Sequence, residues 1–334
     1  MQELYAYLAK HPVVYVTRER ERGEGLFPSS DNGTEKVVGY SIVSEQSKST
    51  RELIAGLENP NNAAILVFKA NRQVEDVCHA KNWRLLNPPA VLAEQVEGKV
   101  SQVKWLGELV SLLPEHWEGE LSTCPWSLPF VLQWNWGHSG EGTRMIKTSE
   151  QLAEIIKRFP YRKVRITRMI NGDTYTNNNI VTKNGILLGN ISYQITGDTN
   201  LTDNPFATVG NDWNMPKTIL TGNEIAGYNN IAQKIGKKLA QDGWRGLYGV
   251  DIIREHGTGK MYLIEVNARQ PASTTFESQM QQKKRLDSKG WSGLGNKITT
   301  FEAHLASLLD LDLTGKELIK IDNGKRTINR KNTI

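Results

Sequence analysis

The fold of this chain is constrained most by one feature of its sequence. Two apolar segments, GVDII and LIEV, are joined by the turn EHGTGK. Such segments around a glycine-containing turn predict a β-hairpin over residues 247–267. A turn centred near Thr258 places Asp251 opposite Glu265, and Asn267 projects to the same face as Glu265. Opposed carboxylates destabilise a hairpin unless a cation lies between them, so the pattern predicts a magnesium site. The alternative, solvent-facing carboxylates, is less favoured because both interrupt segments suited to burial.

Composition narrows the class of protein. A chain of 334 residues exceeds the usual size of one hydrophobic core, so two or three subdomains are expected. No run approaches the ~20 apolar residues of a membrane span, and the N-terminus lacks the pattern of a signal peptide. The chain has two cysteines, Cys78 and Cys124, which argues against a disulfide framework, so we expect a cytoplasmic protein without a membrane partner.

The formal charge of +5 favours an anionic partner, either nucleotide phosphates or a nucleic acid. Nucleic acid is disfavoured because the tryptophans between residues 105 and 136 are not interleaved with basic residues, and no nucleic-acid motif is present. Part of the positive charge lies in the run from Lys316 to Lys331, which we interpret as a solvated tail or an edge strand.

The first hundred residues alternate between strand and helix patterns. PVVYVTR and AAILVFKA are short apolar strands, and the second leads into the helical segment RQVEDVCHAKN. Pro88 and Pro89 end this βα pattern. Ser101 is then expected to cap a helix that buries Leu106 and Leu113 and stops at Pro114.

The middle of the chain predicts a small lobe and then a larger one. FVLQW is a strand, WGHSGEGT is a glycine-rich loop, and Thr148 with Gln151 forms a capping box at the start of a helix. KVRITRMINGDTY is predicted to be a strand that runs into a turn at Asn171 and Gly172, and GILLGNISYQI is another predicted strand. The clearest helical periodicity spans residues 224–241 and ends at Gly243.

The segment LYGVDIIREHGTGKMYLIEVNARQPAS resembles the metal-binding hairpin of the ATP-grasp superfamily of carboxylate-amine ligases. Members carry an Asp on one strand and Glu-x-Asn on the next, often followed by x-Arg as in the biotin carboxylase and carbamoyl phosphate synthetase branches. The resemblance implies a mixed α+β and α/β ATP-grasp fold, in which two α+β lobes clasp ATP. It also implies a Rossmann-like domain at residues 1–98 before an ATP-grasp domain at 99–334, with lobes of about 125–172 and 173–334.

The resemblance implies a role for each part of the site. Asp251, Glu265 and Asn267 would bind one or two magnesium ions, and the cations Lys99 and Arg269 would act on the phosphates and the acyl-phosphate. The glycine-rich loop would fold over the β- and γ-phosphates through backbone amides and hydroxyls. The loop residues expected to contact ATP are Gly137, Ser139, Gly140, Gly142 and Thr143.

One departure from the family concerns the phosphates. The family's second lysine, on the strand before the loop, is replaced by Gln133, which donates a hydrogen bond but brings no charge. We expect Arg144 or Lys147 to supply that charge.

Two further departures concern the nucleoside. By position, the carbonyl of Arg168 and the amide of Ile170 would pair with the adenine edge. The family's glutamate that accepts from the adenine amine is replaced by Thr167, and the glutamate that binds the ribose is replaced by Thr174. Asp173 is adjacent and is expected to serve the ribose instead.

The resemblance implies an ADP-forming enzyme that uses ATP and Mg2+ to convert a carboxylate into an acyl-phosphate, which an amine then attacks. We expect small-molecule substrates, an amino acid or a peptide, in a pocket lined by the N-terminal domain and QPASTTFESQMQQKKR. A bicarbonate-using carboxylase or carbamoyl-type enzyme and a non-catalytic nucleotide-binding scaffold are the alternatives. The oligomeric state stays open, with a homodimer as one option.

Overall fold

The computed structural model describes residues 2–27, 38–58, 63–137, 142–288, 295–321 and 323–331. Within these residues helices pack on four separate β-sheets, so the predicted mixed α+β architecture is confirmed. No helix among them is both long and apolar enough to cross a membrane.

The N-terminal segment forms a parallel sheet flanked by helices. Its elements are α1 (Gln2–Lys10), β1 (Val13–Thr17), β2 (Tyr40–Ser44), α2 (Thr50–Ala55), β3 (Ala64–Val67) and α3 (Arg72–Ala80). The strand order is β2-β1-β3, and all pairs are parallel. Val74 and Cys78 of α3 are buried, as the helical pattern predicted. The predicted βα alternation is therefore confirmed.

The next segment corrects one predicted cap. It contains α4 (Ala90–Glu97) and α5 (Lys99–Leu106), followed by a 3-10 segment at Gly107–Leu112. Ser101 lies inside α5 and does not cap it. The cap comes from a distant residue instead: the Asn135 side-chain oxygen accepts the Val100 amide at 2.9 Å. A partner 35 positions away is invisible to a local pattern.

An antiparallel sheet forms the smaller lobe. Its strands are β4 (His116–Glu120), β5 (Phe130–Trp134), β6 (Thr143–Ile146) and β7 (Lys163–Thr167), in the order β4-β7-β5-β6. The helix α6 (Ser149–Arg158) packs on it and begins at the predicted capping box of Thr148 and Gln151. Strand β4, HWEGE, was not predicted because it has no apolar alternation.

The remaining elements build the larger lobe. The strands are β8 (Gly172–Thr182), β9 (Gly185–Leu187), β10 (Ser192–Thr196), β11 (Thr208–Asp212), β12 (Gly246–Glu255), β13 (Met261–Asn267), β14 (Lys297–Ile298), β15 (Glu317–Leu318) and β16 (Lys325–Thr327). The helices are α7 (Met215–Ile219), α8 (Gly222–Gln241), α9 (Thr274–Asp287) and α10 (Thr300–Leu308). The main sheet has the order β13-β12-β8-β10-β11-β16, with β9 beside β8, while β14 pairs with β15. The helix predicted at 224–241 is α8, and the C-terminal basic run supplies an edge strand.

One predicted strand is divided in two. GILLGNISYQI forms β9 and β10, which pair with different parts of β8. Between them the amide of Gly189 donates to the Asn179 side chain at 3.0 Å instead of joining the backbone ladder. The side chain of Asn179 thus ends β9, which the apolar pattern did not reveal.

The hairpin formed by β12 and β13 has the predicted register. Asp251 lies opposite Glu265, and a bulge follows at Ile252, which pairs with Leu263. The N-terminal sheet and α10 share one apolar core that includes Leu8, Tyr15 and Phe301. The domain boundary at residue 98 stays a prediction.

Candidate active site

A cavity of about 440 Å³ lies between the two larger sheets. Strands β5, β6 and β7 border it on one side, and strands β8, β10, β11, β12, β13 and β16 of the larger lobe border it on the other. Apolar side chains of Val131, Trp134, Ile253 and Ile264 line one part. Of the described lining residues, six are cationic and two are acidic, so the cavity favours anionic ligands.

The two acidic side chains are the predicted metal ligands. Asp251 Oδ2 accepts from Asn267 Nδ2 at 3.2 Å, whereas Oδ1 is shielded from solvent and has no hydrogen-bond partner among the described residues. Burial, followed by the charge of Glu265, raises the pKa of Asp251 to about 6. A shielded carboxylate oxygen without a partner is costly, and a bound cation would remove that cost.

The donor set fits magnesium. No three His, Cys, Asp or Glu side chains cluster as a metal site in the described part of the chain. A metal here would therefore have two carboxylates and the amide oxygen of Asn267. Mg2+ is commonly held by one or two carboxylates together with substrate phosphates, so Asp251, Glu265 and Asn267 suit it.

Lys99 lies beside the carboxylate pair. It opens α5, and its Nζ is 2.6 Å from Glu265 Oε1. Burial acts to raise the pKa of Glu265, but the charges of Lys99 and Arg269 outweigh it and lower that pKa. Glu265 is therefore ionised at neutral pH, and the predicted phosphate lysine balances its charge.

Arg269 is held in place by a residue that sequence analysis missed. Its guanidinium pairs with the buried Glu97 at the end of α4, and the other oxygen of Glu97 pairs with Lys69. Burial opposes the charged form of Arg269, but Glu97 and Glu265 outweigh it and raise the pKa of the guanidinium. No local signal marks Glu97, because its partner is 172 positions away.

Arg165 supplies the charge that Gln133 lacks. It lies opposite Gln133 in the sheet, and its Nε donates to Gln133 Oε1 at 2.9 Å. Further bonds go to the Gln102 side chain and the Ile264 carbonyl, at 3.2 and 2.8 Å. Burial lowers the pKa of Arg165 to about 10, so it stays charged at neutral pH. In the sequence, the one available signal for Arg165 was a charged residue between Val164 and Ile166, two apolar residues that are buried in the strand.

The expected source of that charge was wrong. Arg144 and Lys147 are exposed and do not line the cavity. Both follow the glycine-rich loop on β6 or just after it, and their side chains point to the solvent.

The segment after β7 has the features expected of a nucleoside site. Arg168 and Ile170 line the cavity, and the Arg168 amide donates to the Glu115 carbonyl at 2.9 Å. The Arg168 carbonyl and the Ile170 amide have no hydrogen-bond partner within the described residues, so both remain available to a ligand. Thr167 and Thr174 also line the cavity.

Asp173 does not line the cavity, contrary to expectation. Its carboxylate is 3.0 Å from His256 Nε2, on the outer side of β8. Adjacent strand residues project to opposite faces, so the inward position belongs to Thr174.

The glycine-rich loop is described only at its ends. Gly137, Gly142 and Thr143 line the cavity, while Ser139 and Gly140 lie outside the described residues. A Cβ at Gly142 would be 2.9 Å from the Gly137 Cα, so the two ends approach too closely for a side chain there. This close approach keeps backbone atoms next to the cavity.

The residues that line the cavity differ from those expected for the substrate pocket. No described residue of the first 98 lines it, and only Pro271, Ala272 and Ser273 come from the segment expected to line the substrate pocket. Most of that segment forms α9, whose polar side chains Glu277 and Gln281 are buried. The C-terminal residues Arg326, Ile328 and Arg330 line the cavity instead, together with neutral polar side chains of β10 and β11.

Residues 96–273, more than half of the chain, match the family model of the ATP-grasp domain. The chain belongs to the ATP-grasp family. No curated protein sequence matches it.

Solved structures extend the similarity of fold to most of the chain. N5-carboxyaminoimidazole synthase from Aspergillus clavatus, in complex with ADP and 5-aminoimidazole ribonucleotide, has a TM-score of 0.64 at 14% identity, covering 93% of this chain and 80% of the other. Biotin carboxylase from Campylobacter jejuni has a TM-score of 0.66 at 14% identity, covering 95% and 75%. L-amino acid ligase from Bacillus licheniformis has a TM-score of 0.60 at 12% identity, covering 91% and 75%. At these identities the likeness establishes the ATP-grasp fold.

Proposed function

We propose that the protein is an ADP-forming ligase that uses ATP and Mg2+ to join a carboxylate, as its acyl-phosphate, to an amine. The observation that carries this proposal is the shielded, unpartnered Oδ1 of Asp251, opposite Glu265 in a cavity that also contains Lys99, Arg165 and Arg269. A scaffold that only bound nucleotide would have no need of this combination of charges.

Each part of the site has a task in that reaction. The apolar side chains and the free backbone groups of Arg168 and Ile170 suit adenine. Lys99, Arg165 and Arg269 suit the phosphates, whose charge spreads over the transferring phosphoryl group. Asp251, Glu265 and Asn267 would hold Mg2+, which supplies further charge neutralisation when it is bound.

The reaction then needs two displacements. A carboxylate oxygen of the substrate attacks the γ-phosphorus and ADP leaves. The amine nitrogen attacks the acyl carbon, loses its proton, and phosphate leaves. Arg269, fixed by Glu97, would hold the phosphoryl group through both steps. Residues at the ends of the glycine-rich loop border the cavity, where a closed loop would keep water from hydrolysing the intermediate.

The carboxylate and the amine are proposed to belong to amino acids or small peptides. The polar, uncharged side chains at the far end of the cavity, such as Gln194 and Asn211, suit such substrates. The similarity of fold to an L-amino acid ligase supports the same class. A bicarbonate-using carboxylase is the second candidate, because Arg269 follows the Glu-x-Asn motif and biotin carboxylase shares the fold.

ADP release by the purified protein tests the proposal. It is measured with MgATP and separate pools of amino acids, dipeptides and bicarbonate, for wild type, Glu265→Gln and the control Glu108→Gln, whose carboxylate is exposed. We expect magnesium-dependent ADP release that one pool stimulates, that Glu265→Gln loses and that Glu108→Gln keeps. Stimulation by bicarbonate alone would select the second candidate. Nucleotide binding without turnover would indicate a scaffold, and no nucleotide binding would refute the proposal.

A further inference from the structure

The C-terminal edge strand brings two arginines to the cavity. Arg326 lies on β16 opposite Asn211, and its Nη1 donates to the Ala272 carbonyl at 2.6 Å, just after β13. Strands β16 and β13 are at opposite edges of the sheet, and this bond connects β16 with the loop that follows β13 beside the cavity. The Arg330 amide donates to the Leu201 carbonyl at 2.8 Å, which fixes the chain beyond β16.

Each of these guanidinium groups has one buried nitrogen that lacks a hydrogen-bond acceptor. The Nε atoms of Arg326 and Arg330 are shielded from solvent, and neither has a hydrogen-bond partner in the described residues. No described carboxylate lies within 4 Å of either guanidinium group. A shielded donor of a charged group without an acceptor costs free energy, so the arrangement is unfavourable in the absence of an anion.

The surroundings add to this cost. Burial, then the charges of Arg22 and Arg330, lower the pKa of Arg326, so the nearby charges repel it. Arg22 is partly balanced by Glu19 at 2.6 Å. Of the two carboxylates that line the cavity, Glu265 pairs with Lys99 and Asp251 accepts from Asn267 through Oδ2, so neither of them pairs with Arg326 or Arg330.

The neighbouring side chains select the type of ligand. Gln194, Thr208, Asn211 and Ser273 line this end of the cavity and are polar but uncharged. A planar guanidinium group matches a carboxylate or a phosphate through paired hydrogen bonds, and two such groups match a single anion well.

We propose that Arg326 and Arg330 form a subsite for an anionic group, a carboxylate or a phosphate, of the substrate that this ligase joins. The inference rests on the proposed function only where it assigns the anionic group to a substrate of the ligase. The chemistry of the subsite rests on the two arginines. The anion binds where both arginines line the cavity and accepts from their guanidinium N–H groups. It is a different group from the carboxylate that attacks ATP, because the reacting group must lie beside the phosphates at Lys99 and Arg269.

Calorimetric titration with two simple anions tests the subsite. Inorganic phosphate and malonate are titrated separately into the full chain, in chloride buffer, first saturated with the magnesium complex of the non-hydrolysable ATP analogue AMP-PNP and then without nucleotide. The analogue fills the phosphate positions, so anion binding in its presence reports on another site. The tighter of the two anions identifies the group as phosphate or carboxylate.

The variants are Arg326→Gln, Arg330→Gln and the control Lys325→Gln. Lys325 precedes Arg326 on β16, is exposed and projects to the other face, so its variant removes the same charge from the same strand. We expect the affinity for the preferred anion to fall about tenfold to a hundredfold in each arginine variant and by less than about twofold in the control. We also expect the melting temperature of Arg330→Gln, measured without anions, to equal or exceed that of wild type.

Three results would overturn the subsite: no binding of either anion by wild type, equal losses in Lys325→Gln, or unchanged affinity in both arginine variants. A purely structural role would lower the melting temperature of the arginine variants without changing anion affinity. If AMP-PNP does not bind, the proposed function fails, but the titrations without nucleotide still judge the two arginines. The two proposals therefore fail separately.

Discussion

At the scale of single residues, the Asp251 carboxylate has the clearest energetic signature. Its pKa of about 6 lies above the ordinary value of 3.8, so its charged form is less stable in the folded protein than in the unfolded chain. Asp251 therefore lowers the stability above pH 6, and this cost disappears as the pH falls from about 6 to about 4.

The variant Asp251→Asn is expected to be more stable than wild type at pH 8 by about 1–3 kcal/mol, because it removes a buried charge that faces Glu265 and has one unpartnered oxygen. The difference should shrink as the pH falls through 6. Urea unfolding in EDTA at pH 8, 6 and 5 measures both effects. A variant that is less stable than wild type at pH 8 would show that Asp251 is already well paired without metal.

Gln133 and Arg165 make a second prediction at this scale. Gln133→Lys, which reinstates the family's lysine, is expected to lower the free energy of unfolding by about 1–3 kcal/mol. Arg165 would lose the acceptor of its Nε and gain a buried like charge. Urea unfolding checks this.

The matched variant Gln133→Glu keeps an acceptor for Arg165 but adds a negative charge where phosphates are expected. We expect it to be about as stable as wild type and to bind AMP-PNP at least about tenfold more weakly. Wild-type stability in Gln133→Lys would mean that Arg165 does not depend on Gln133.

The sequence revealed the residues that lie on one hairpin and missed their distant partners. Asp251, Glu265 and Asn267 followed from strand periodicity and a short turn, which are local properties. Lys99 and Arg269 followed from the order of the family's motifs. Glu97 and Arg165 contact residues that are 172 and 32 positions away, and the sequence around each of them does not indicate those contacts.

At the scale of elements, β8 shows where local propensity fails. Its centre is Asn177, Asn178 and Asn179, and asparagine is depleted in strands, yet all three are buried. Asn177 accepts from Tyr228 of α8 and Asn178 donates to Glu277 of α9, while the side chains of Asn177 and Asn179 bond to each other. The strand exists because tertiary contacts satisfy these groups, so its sequence alone did not predict it.

Gly172 controls how β8 begins. It pairs with Glu255 of β12, and a Cβ at this position would lie 2.1 Å from the Arg254 carbonyl oxygen. Gly172→Ala must displace one strand from the other, so we expect a loss of about 1–3 kcal/mol in the free energy of unfolding and weaker nucleotide binding at the adjoining cavity.

Gly222→Ala is the matched control, because a Cβ there has open space and the residue opens α8. It should be neutral or stabilising by up to about 1 kcal/mol. Thermal unfolding of both variants measures the effect on stability, and titration with AMP-PNP measures the effect on nucleotide binding. Equal stability of the two variants would show that β8 and β12 have room to adjust at Gly172.

At the scale of the whole molecule, the cavity joins parts of the chain that otherwise have separate cores. The smaller lobe has its own cluster around Phe130 and Leu132, and the larger lobe has another around Tyr228 and Val250. Arg165 crosses from one lobe to the other through its bond to the Ile264 carbonyl. A ligand that contacts both lobes should therefore stabilise the molecule as a unit.

We expect the magnesium complex of AMP-PNP to raise the free energy of unfolding by about 2.7 kcal/mol at a concentration one hundred times its dissociation constant. Lys99→Met should lose most of this gain at the same concentration, because we propose that Lys99 contacts phosphate. It should also remove the cation that pairs directly with Glu265, which faces Asp251 across the hairpin. Magnesium alone should therefore stabilise Lys99→Met more than it stabilises wild type, where Lys99 already balances Glu265.

Lys104→Met provides the control, since Lys104 lies on the same helix but is exposed. It should respond to magnesium and to the nucleotide as wild type does. Thermal unfolding with magnesium alone, with AMP-PNP alone and with both separates the two contributions. If Lys99→Met gains no more from magnesium than Lys104→Met, Lys99 does not take the place of the metal charge beside Glu265. If both variants keep the full nucleotide effect, the phosphates do not bind at Lys99.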